Sequence, residues 1–359
     1  MPLPGSDPAP ASQRARLDAL GVTFGDADLE ASLYADLEAV ERDMRAAVSS
    51  SYAFLAETSR HLVDAGGKRF RPLLVLLAAR FGDPSLSGAP KAAVVKAAVV
   101  KAAVVKAAVA IELTHLSTLY HDDVMDEAPL RRGTDSANAR WTNTIAILTG
   151  DYLFARASEL TADLGTDATR ILARTIALLC EGQIRETVGP EPGDDPVEHY
   201  LRVVAEKTGS LIATSARLGA MLSGAGPDVV EALTAYGEKI GVAFQLSDDL
   251  LDVVGSVDEF GKTPGTDLRE GIATLPTLLA ARSSDPSLAE VRPLLGSPVP
   301  PAGIEAVIAA LRGSGVIDTA RQDVQRYADE ARAAIESLPW SPAKDALDAL
   351  ADVVVTRVS

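Results

Sequence analysis

Two stretches, "HDDVMD" and "QLSDDLLD", each set three aspartates into an otherwise apolar pattern: Asp122, Asp123 and Asp126, then Asp248, Asp249 and Asp252. The i, i+4 spacing puts Asp122 and Asp126 on one helix face, where like charges destabilise a bare helix. Adjacent acids usually mark a solvated face. Here they interrupt "IELTHLSTLY" and "IGVAFQLSDDLLDVV", so they are expected to face a cavity where a hard cation offsets the repulsion. Oxygen-only ligands suit Mg²⁺ and argue against zinc or copper, and each ion would keep some water and take its remaining ligands from phosphate oxygens. The motifs lie more than a hundred residues apart and can face one another across a helix bundle.

Positive charge brackets the acidic motifs. "GGKRFRP" supplies Lys68, Arg69 and Arg71 between a Gly-Gly turn and Pro72, "LRRG" gives Arg131 and Arg132, "EKTG" gives Lys207 and Thr208, and "FGKTPGTD" gives Lys262. The whole chain is acidic, with 50 Asp and Glu against 34 Lys and Arg and a formal charge of -16. That balance excludes general attraction to nucleic acid or anionic membrane surfaces. Basic residues at turns beside acidic motifs therefore predict phosphate recognition: one phosphate group held through metal, another by direct ion pairing.

The elements that must position these groups are helices. From about Asp28 the apolar residues recur at spacings of three and four, and Gly/Pro clusters at 82–90, 189–196, 223–228, 255–271 and 283–288 separate such stretches. The expected architecture is all-α, a single domain over 28–359 preceded by a flexible tail over 1–27. A hydrophobic content of 47% allows a substantial core. The start lacks an apolar signal-peptide core, and Lys91, Lys96, Lys101 and Lys106 break up the most hydrophobic stretch. The lone Cys180, expected to pack as a small hydrophobe, excludes an internal disulfide and suits a cytoplasmic protein.

Between the basic turn and the first acidic motif lies "KAAVVKAAVVKAAVVKAAVA", residues 91–110. Five residues advance a helix by a net 140° or so, which spreads the four lysines around the axis. The reading is a tandem duplication carried as helical overhang, with a partner-binding helix as the alternative. Three surplus copies would add about 22 Å.

In order and spacing, "GGKRFRP", "ELTHLSTLYHDDVMDEAPLRRG", "EKTGSL", "FQLSDDLLD" and "GKTPGTDLREGIATLP" resemble the trans-isoprenyl diphosphate synthases, the polyprenyl synthetase family, over roughly residues 30–355. The resemblance implies an isoprenoid synthase helical bundle around a deep central cavity. It also implies head-to-tail condensation of isopentenyl diphosphate with an allylic diphosphate through an allylic carbocation. Carried over by motif, Asp122, Asp123, Asp126, Asp248, Asp249 and Asp252 would ligate Mg²⁺, three ions with the allylic diphosphate bound, and Lys207 joins these acids in the catalytic set. Lys68, Arg71, His115 and Arg132 match the isopentenyl diphosphate site; Arg131, Lys207, Thr208, Gln245 and Lys262 match residues that hold the allylic diphosphate. The expected assembly is a homodimer.

Two departures stand out: Ile272 occupies a position where many relatives carry lysine, and the repeat is additional. In this family the positions four and five before the first acidic motif help floor the cavity. Here they are Thr118 and Ser117, whose small size favours a product of about C30 to C45 over a shorter geranylgeranyl or farnesyl one. A class I terpene cyclase would lack "GGKRFRP", and a regulatory subunit would have degraded acidic motifs. A di-iron protein would need a second E-x-x-H beside Glu112–His115, which the chain lacks.

Overall fold

A computed structural model describes residues 21–22, 24–82, 91–255 and 264–358, with the backbone alone at 91–95. The expected tail lies almost wholly outside the described residues, as does Lys262. The helices are α1 (Ala27–Ala47), α2 (Ala53–Asp64), α3 (Phe70–Ala78), α4 (Lys91–Met125), α5 (Ala137–Arg140), α6 (Asn143–Ala162), α7 (Thr166–Val188), α8 (Pro196–Val204), α9 (Ser210–Leu222), α10 (Pro227–Val254), α11 (Thr266–Glu270), α12 (Leu275–Arg282), α13 (Pro301–Gly313), α14 (Val316–Ala334) and α15 (Pro342–Thr356). A π-helical turn, Ala205–Gly209, joins α8 to α9. Between α4 and α5 a two-residue antiparallel ladder, β1 (Leu130–Arg131) with β2 (Thr134–Asp135), interrupts the helical pattern. Apart from this ladder, the regular structure among the described residues is helical, as the periodicity predicts.

Contacts group into two compact units, 1–173 with 215–230 and 174–214 with 231–359. Their limits fall inside α7, α9 and α10, so each unit draws on both halves of the sequence. In the first unit α4 runs along α6 and also packs on α3 and α1. Every residue of α3 except Arg71 is buried, as an all-round apolar helix must be. In the second unit α14 packs on α15 and α12, and the Tyr236 hydroxyl donates to the Leu347 carbonyl at 2.6 Å.

Local signals set the helix starts. The side chain of Asp26 accepts from the Leu29 amide, Thr142 from Ile145, and Asp195 from Val197 and Glu198, with Pro196 opening α8. Each satisfies amides that the first turn leaves unpaired. Cys180 departs from expectation: it is exposed.

The repeat lies wholly within α4, a 35-residue helix about 52 Å long at 1.5 Å per residue. It does not behave as one unit. Residues 96–103 are exposed or half-exposed, whereas Val104, Val105 and Ala107 through Ala110 belong to the core. The overhang expected across 91–110 is therefore corrected: burial begins at Val104, because identical copies meet different surroundings as the helix enters the unit. Two repeat lysines have found partners on other helices or their ends, Lys101 with Asp36 at 2.5 Å and Lys106 with Asp163 at 2.7 Å. Val99 and Val104 occupy the same place in successive copies, yet expose 63% and 5%. Val104→Asp should lower the melting temperature by several degrees, since an unpaired buried carboxylate costs several kcal/mol, roughly, while Val99→Asp should leave it within about one degree. Parallel thermal melts check the pair.

Candidate functional site

In the first unit the basic turn, the β1–β2 tip and α4 come together. Gly67, at φ +135°, lies so close to Arg132 that a Cβ there would sit 2.9 Å from the guanidinium carbon. Glycine at 67 is what lets that guanidinium dock on the turn, where it donates to the carbonyls of Gly66 and Leu62. Arg132 itself has φ +53° and Gly133 φ +78°, the signs a two-residue hairpin turn of the mirror-image type requires. A non-glycine residue there costs of order 1 kcal/mol, so the docked side chain must hold the backbone in place. The turn "RG" was the sequence signal for this hairpin.

His115 lies on α4 three residues beyond Glu112. Its pKa is held well below the usual histidine value, first by burial and then by the positive field of Arg71, Arg132, Arg69 and Arg131. The imidazole is neutral, and an arginine-rich surround in a chain of charge -16 is a site for an anion. Burial is also the main reason the Arg132 pKa falls to about 10. Lys68 is exposed and Arg71 half-buried at the edge of this cluster.

One basic residue of the turn, grouped in the sequence reading with the phosphate-recognising cations, faces carboxylates instead. Arg69 is buried, donating Nε to Glu41 at 2.6 Å and Nη1 to Glu112 at 2.8 Å. Glu112, weighed there only as half of a di-iron motif, is thus the carboxylate that meets this guanidinium.

Asp122 is half-buried and Asp126 exposed, whereas Asp123 is fully buried with Oδ1 accepting from Arg131 Nε at 2.5 Å. Burial raises the Asp123 pKa and Arg131 opposes that rise. Its other oxygen, Oδ2, is buried with no hydrogen-bond partner. A carboxylate oxygen out of water and unsatisfied is costly, and a hard cation would satisfy it. The oxygen donor set thus fits Mg²⁺, although among the described residues no three His, Cys, Asp or Glu side chains already converge around an ion position.

The positions proposed to floor a cavity are not equivalent. Ser117 is fully buried, donating to the Gly150 carbonyl of α6 at 2.7 Å, so it packs between helices. Thr118 is half-exposed, on the same stripe of α4 as His115 and Asp122.

In the second unit a polar chain links the remaining residues. Thr208 donates to Gln245 at 3.1 Å, and Gln245 donates to Asp249 at 3.0 Å, as the i, i+4 spacing requires. Tyr200, which the sequence reading missed, donates its hydroxyl to the other oxygen of Asp249. Tyrosine seven residues before Lys207 on a helical pattern was the available signal. Lys207 and Thr208 lie in the π-helical turn, a local widening often found at functional sites, and Lys207 pairs with Glu186 at 2.6 Å. Asp248 pairs with Arg357 at 2.5 Å, and Asp252 accepts from the amides of Thr266 and Asp267 at 3.0 Å. Ile272 exposes its side chain, and its amide donates to Asp267 at 2.9 Å.

Burial drives the Asp249 pKa up to about 7, with the bonds from Tyr200 and Gln245 opposing and Asp248 and Asp252 adding to the rise. Folding therefore disfavours the charged form of this group. Its cost is absent well below the unfolded value of 3.8, grows as pH rises, and is complete above about 7. Asp249→Asn should raise the melting temperature by several degrees at pH 8 and by much less at pH 4, a difference that calorimetry at the two values measures.

The comparisons agree on one family. Residues 52–310 match the polyprenyl synthetase family. The chain is 46% identical to the nonaprenyl diphosphate synthase of Mycobacterium tuberculosis, covering 94% of this chain and 97% of that protein. It is 40% identical to heptaprenyl diphosphate synthase component 2 of Geobacillus stearothermophilus, over 88% and 94%. Among solved structures, a geranylgeranyl pyrophosphate synthase from Corynebacterium glutamicum, complexed with calcium and isoprenyl diphosphate, superposes with a TM-score of 0.80 at 45% identity, over 94% and 99%.

Proposed function

Because the chain belongs to the polyprenyl synthetase family, and is thereby a trans-prenyltransferase, we propose that it condenses isopentenyl diphosphate head to tail with an allylic diphosphate in an Mg²⁺-dependent reaction. The product in this reading is an all-trans polyprenyl diphosphate of about C30 to C45. The observation that carries it is the half-buried, neutral His115 surrounded by Arg71, Arg132, Arg69 and Arg131. In an acidic chain such a cluster has a use for a polyanion.

Lys68, Arg71, His115 and Arg132 hold the diphosphate of isopentenyl diphosphate; a neutral imidazole donates a hydrogen bond there without adding charge. Arg131, Lys207, Thr208, Gln245 and Lys262 act on the allylic diphosphate. Asp122, Asp123, Asp126, Asp248, Asp249 and Asp252 hold Mg²⁺, three ions in this reading, which when bound neutralises the departing diphosphate. As the allylic C–O bond breaks, the cationic side chains stabilise the negative charge on the leaving oxygens, the double bond of isopentenyl diphosphate attacks the allylic cation, and loss of a proton from the resulting cation forms the new double bond. Tyr200 and Gln245 orient Asp249; Arg131 orients Asp123. Apolar residues keep water from the cation.

The half-exposed Thr118 supports a longer product, and the nonaprenyl relative points the same way. A homodimer belongs to the reading, supported by Ile147 and Leu148, which α6 leaves 42% and 58% exposed. No described helix is long and apolar enough to cross a membrane. A cytoplasmic location, supported by the single cysteine, completes the reading.

Incubating the purified protein alone with isopentenyl diphosphate, Mg²⁺ and allylic primers of several lengths tests this directly. Polyprenyl diphosphates of medium or long chain are expected. Geranylgeranyl diphosphate would favour the short-chain reading, cyclic hydrocarbons a cyclase, and turnover only on adding a second protein a component role. Replacing both Asp122 and Asp123 with Ala should abolish diphosphate release, and retained turnover would remove the ionisation site. Thr118→Phe should shorten the product. Ser117→Phe should instead destabilise the fold, because that side chain sits against Gly150.

A further inference from the structure

Of the three cations in the basic turn, Arg69 alone is turned inward, its side chain 1% exposed. Its backbone has φ +53° at the start of α3, a conformation that a bulky residue takes only when its surroundings impose it. The surroundings here are specific. Nε donates to Glu41 on α1, Nη1 to Glu112 on α4 and to the Gly66 carbonyl, and Nη2 to the Val63 carbonyl at the end of α2. Both carboxylates are themselves buried, at 5% and 3% side-chain exposure. Burial lowers the Arg69 pKa, but Glu112 and Glu41 more than offset it, so the group stays charged.

We propose that Arg69, with Glu41 and Glu112, is a positioning residue that sets the isopentenyl diphosphate site without touching substrate. The inference rests on the assignment of Lys68, Arg71, His115 and Arg132 to that site. The connections run through one fork. Arg69 lies between Lys68 and Arg71 in the chain, so its left-handed backbone decides the directions in which those two side chains leave the turn. Glu112 stands one helical turn before His115, so the same ion pair fixes the turn against the imidazole. Glu112 also comes within 4.0 Å of Arg132 Nη2, which ties the fourth member to the same carboxylate. A buried ion triad gives little net stability compared with apolar packing, whereas its planar, directional bonds define one geometry. The fork is therefore a determinant of substrate geometry more than of stability.

The test compares KM for the two substrates. Arg69→Lys keeps the charge and loses the fork; Glu112→Gln keeps an acceptor oxygen and loses the charge. Each should raise KM for isopentenyl diphosphate by about tenfold or more, leave KM for the allylic diphosphate within about twofold, and retain the circular-dichroism spectrum and cooperative melt. Should Arg69→Lys fail to fold, Glu112→Gln carries the same comparison. Unchanged KM for isopentenyl diphosphate in folded variants overturns the proposal, and so does an equal rise for both substrates accompanied by a lowered melting temperature. Lys68→Ala and Arg71→Ala separate the premise from the inference. If these raise that KM and the Arg69 and Glu112 variants do not, only the positioning role fails; if they also leave it unchanged, the site assignment fails and takes the proposal with it.

Discussion

Removing carboxylates from water is the constraint around which this acidic chain is built. Among the described residues Asp36, Glu41, Glu112, Asp123 and Asp249 are buried, against a single buried cation, Arg69. An isolated buried carboxylate is costly enough that the fold must bring it a donor. Arg69 meets two of the five, Arg131 meets Asp123, Arg80 and Lys101 meet Asp36, and Tyr200 with Gln245 meets Asp249. Each pairing also fixes a helix, a turn or a hairpin, so neutralising charge and assembling the site are one task.

The two acidic motifs solve that task differently. Asp123 takes an arginine and keeps one oxygen unsatisfied, while Asp249 takes neutral donors and is left with a pKa near 7. Arginine supplies a full countercharge; a hydroxyl and an amide supply only dipoles, so desolvation dominates at Asp249. Both arrangements leave a carboxylate whose charged form would be stabilised by a cation. That common property is what the paired sequence motifs encode.

The repeat shows how little a local pattern says about its surroundings. Copies identical in sequence run from exposed helix into the core within two turns, and the change falls at Val104. Helix propensity in the "KAAVV" units is uniform, which is why the helix continues unbroken. Burial depends on which neighbours α4 meets, here α6, α3 and α1, and no five-residue unit carries that information.

The sequence by itself determined the all-helical architecture, the two aspartate triads, the basic turn and the placing of Gln245 and Asp249 on one helix face, because helical period and i, i+4 spacing are local properties. Tertiary structure decided the rest. The inward turn of Arg69, Tyr200 reaching across 49 residues to Asp249, and Arg132 docking on the Gly66–Gly67 turn all depend on contacts between distant segments. So does the difference between Ser117 and Thr118, adjacent small polar residues of which one packs against α6 and the other stays half-exposed. A residue type says what a side chain can donate or accept; which partner it meets is settled only when helices far apart in sequence pack and the cost of burying charge selects among the possible pairings.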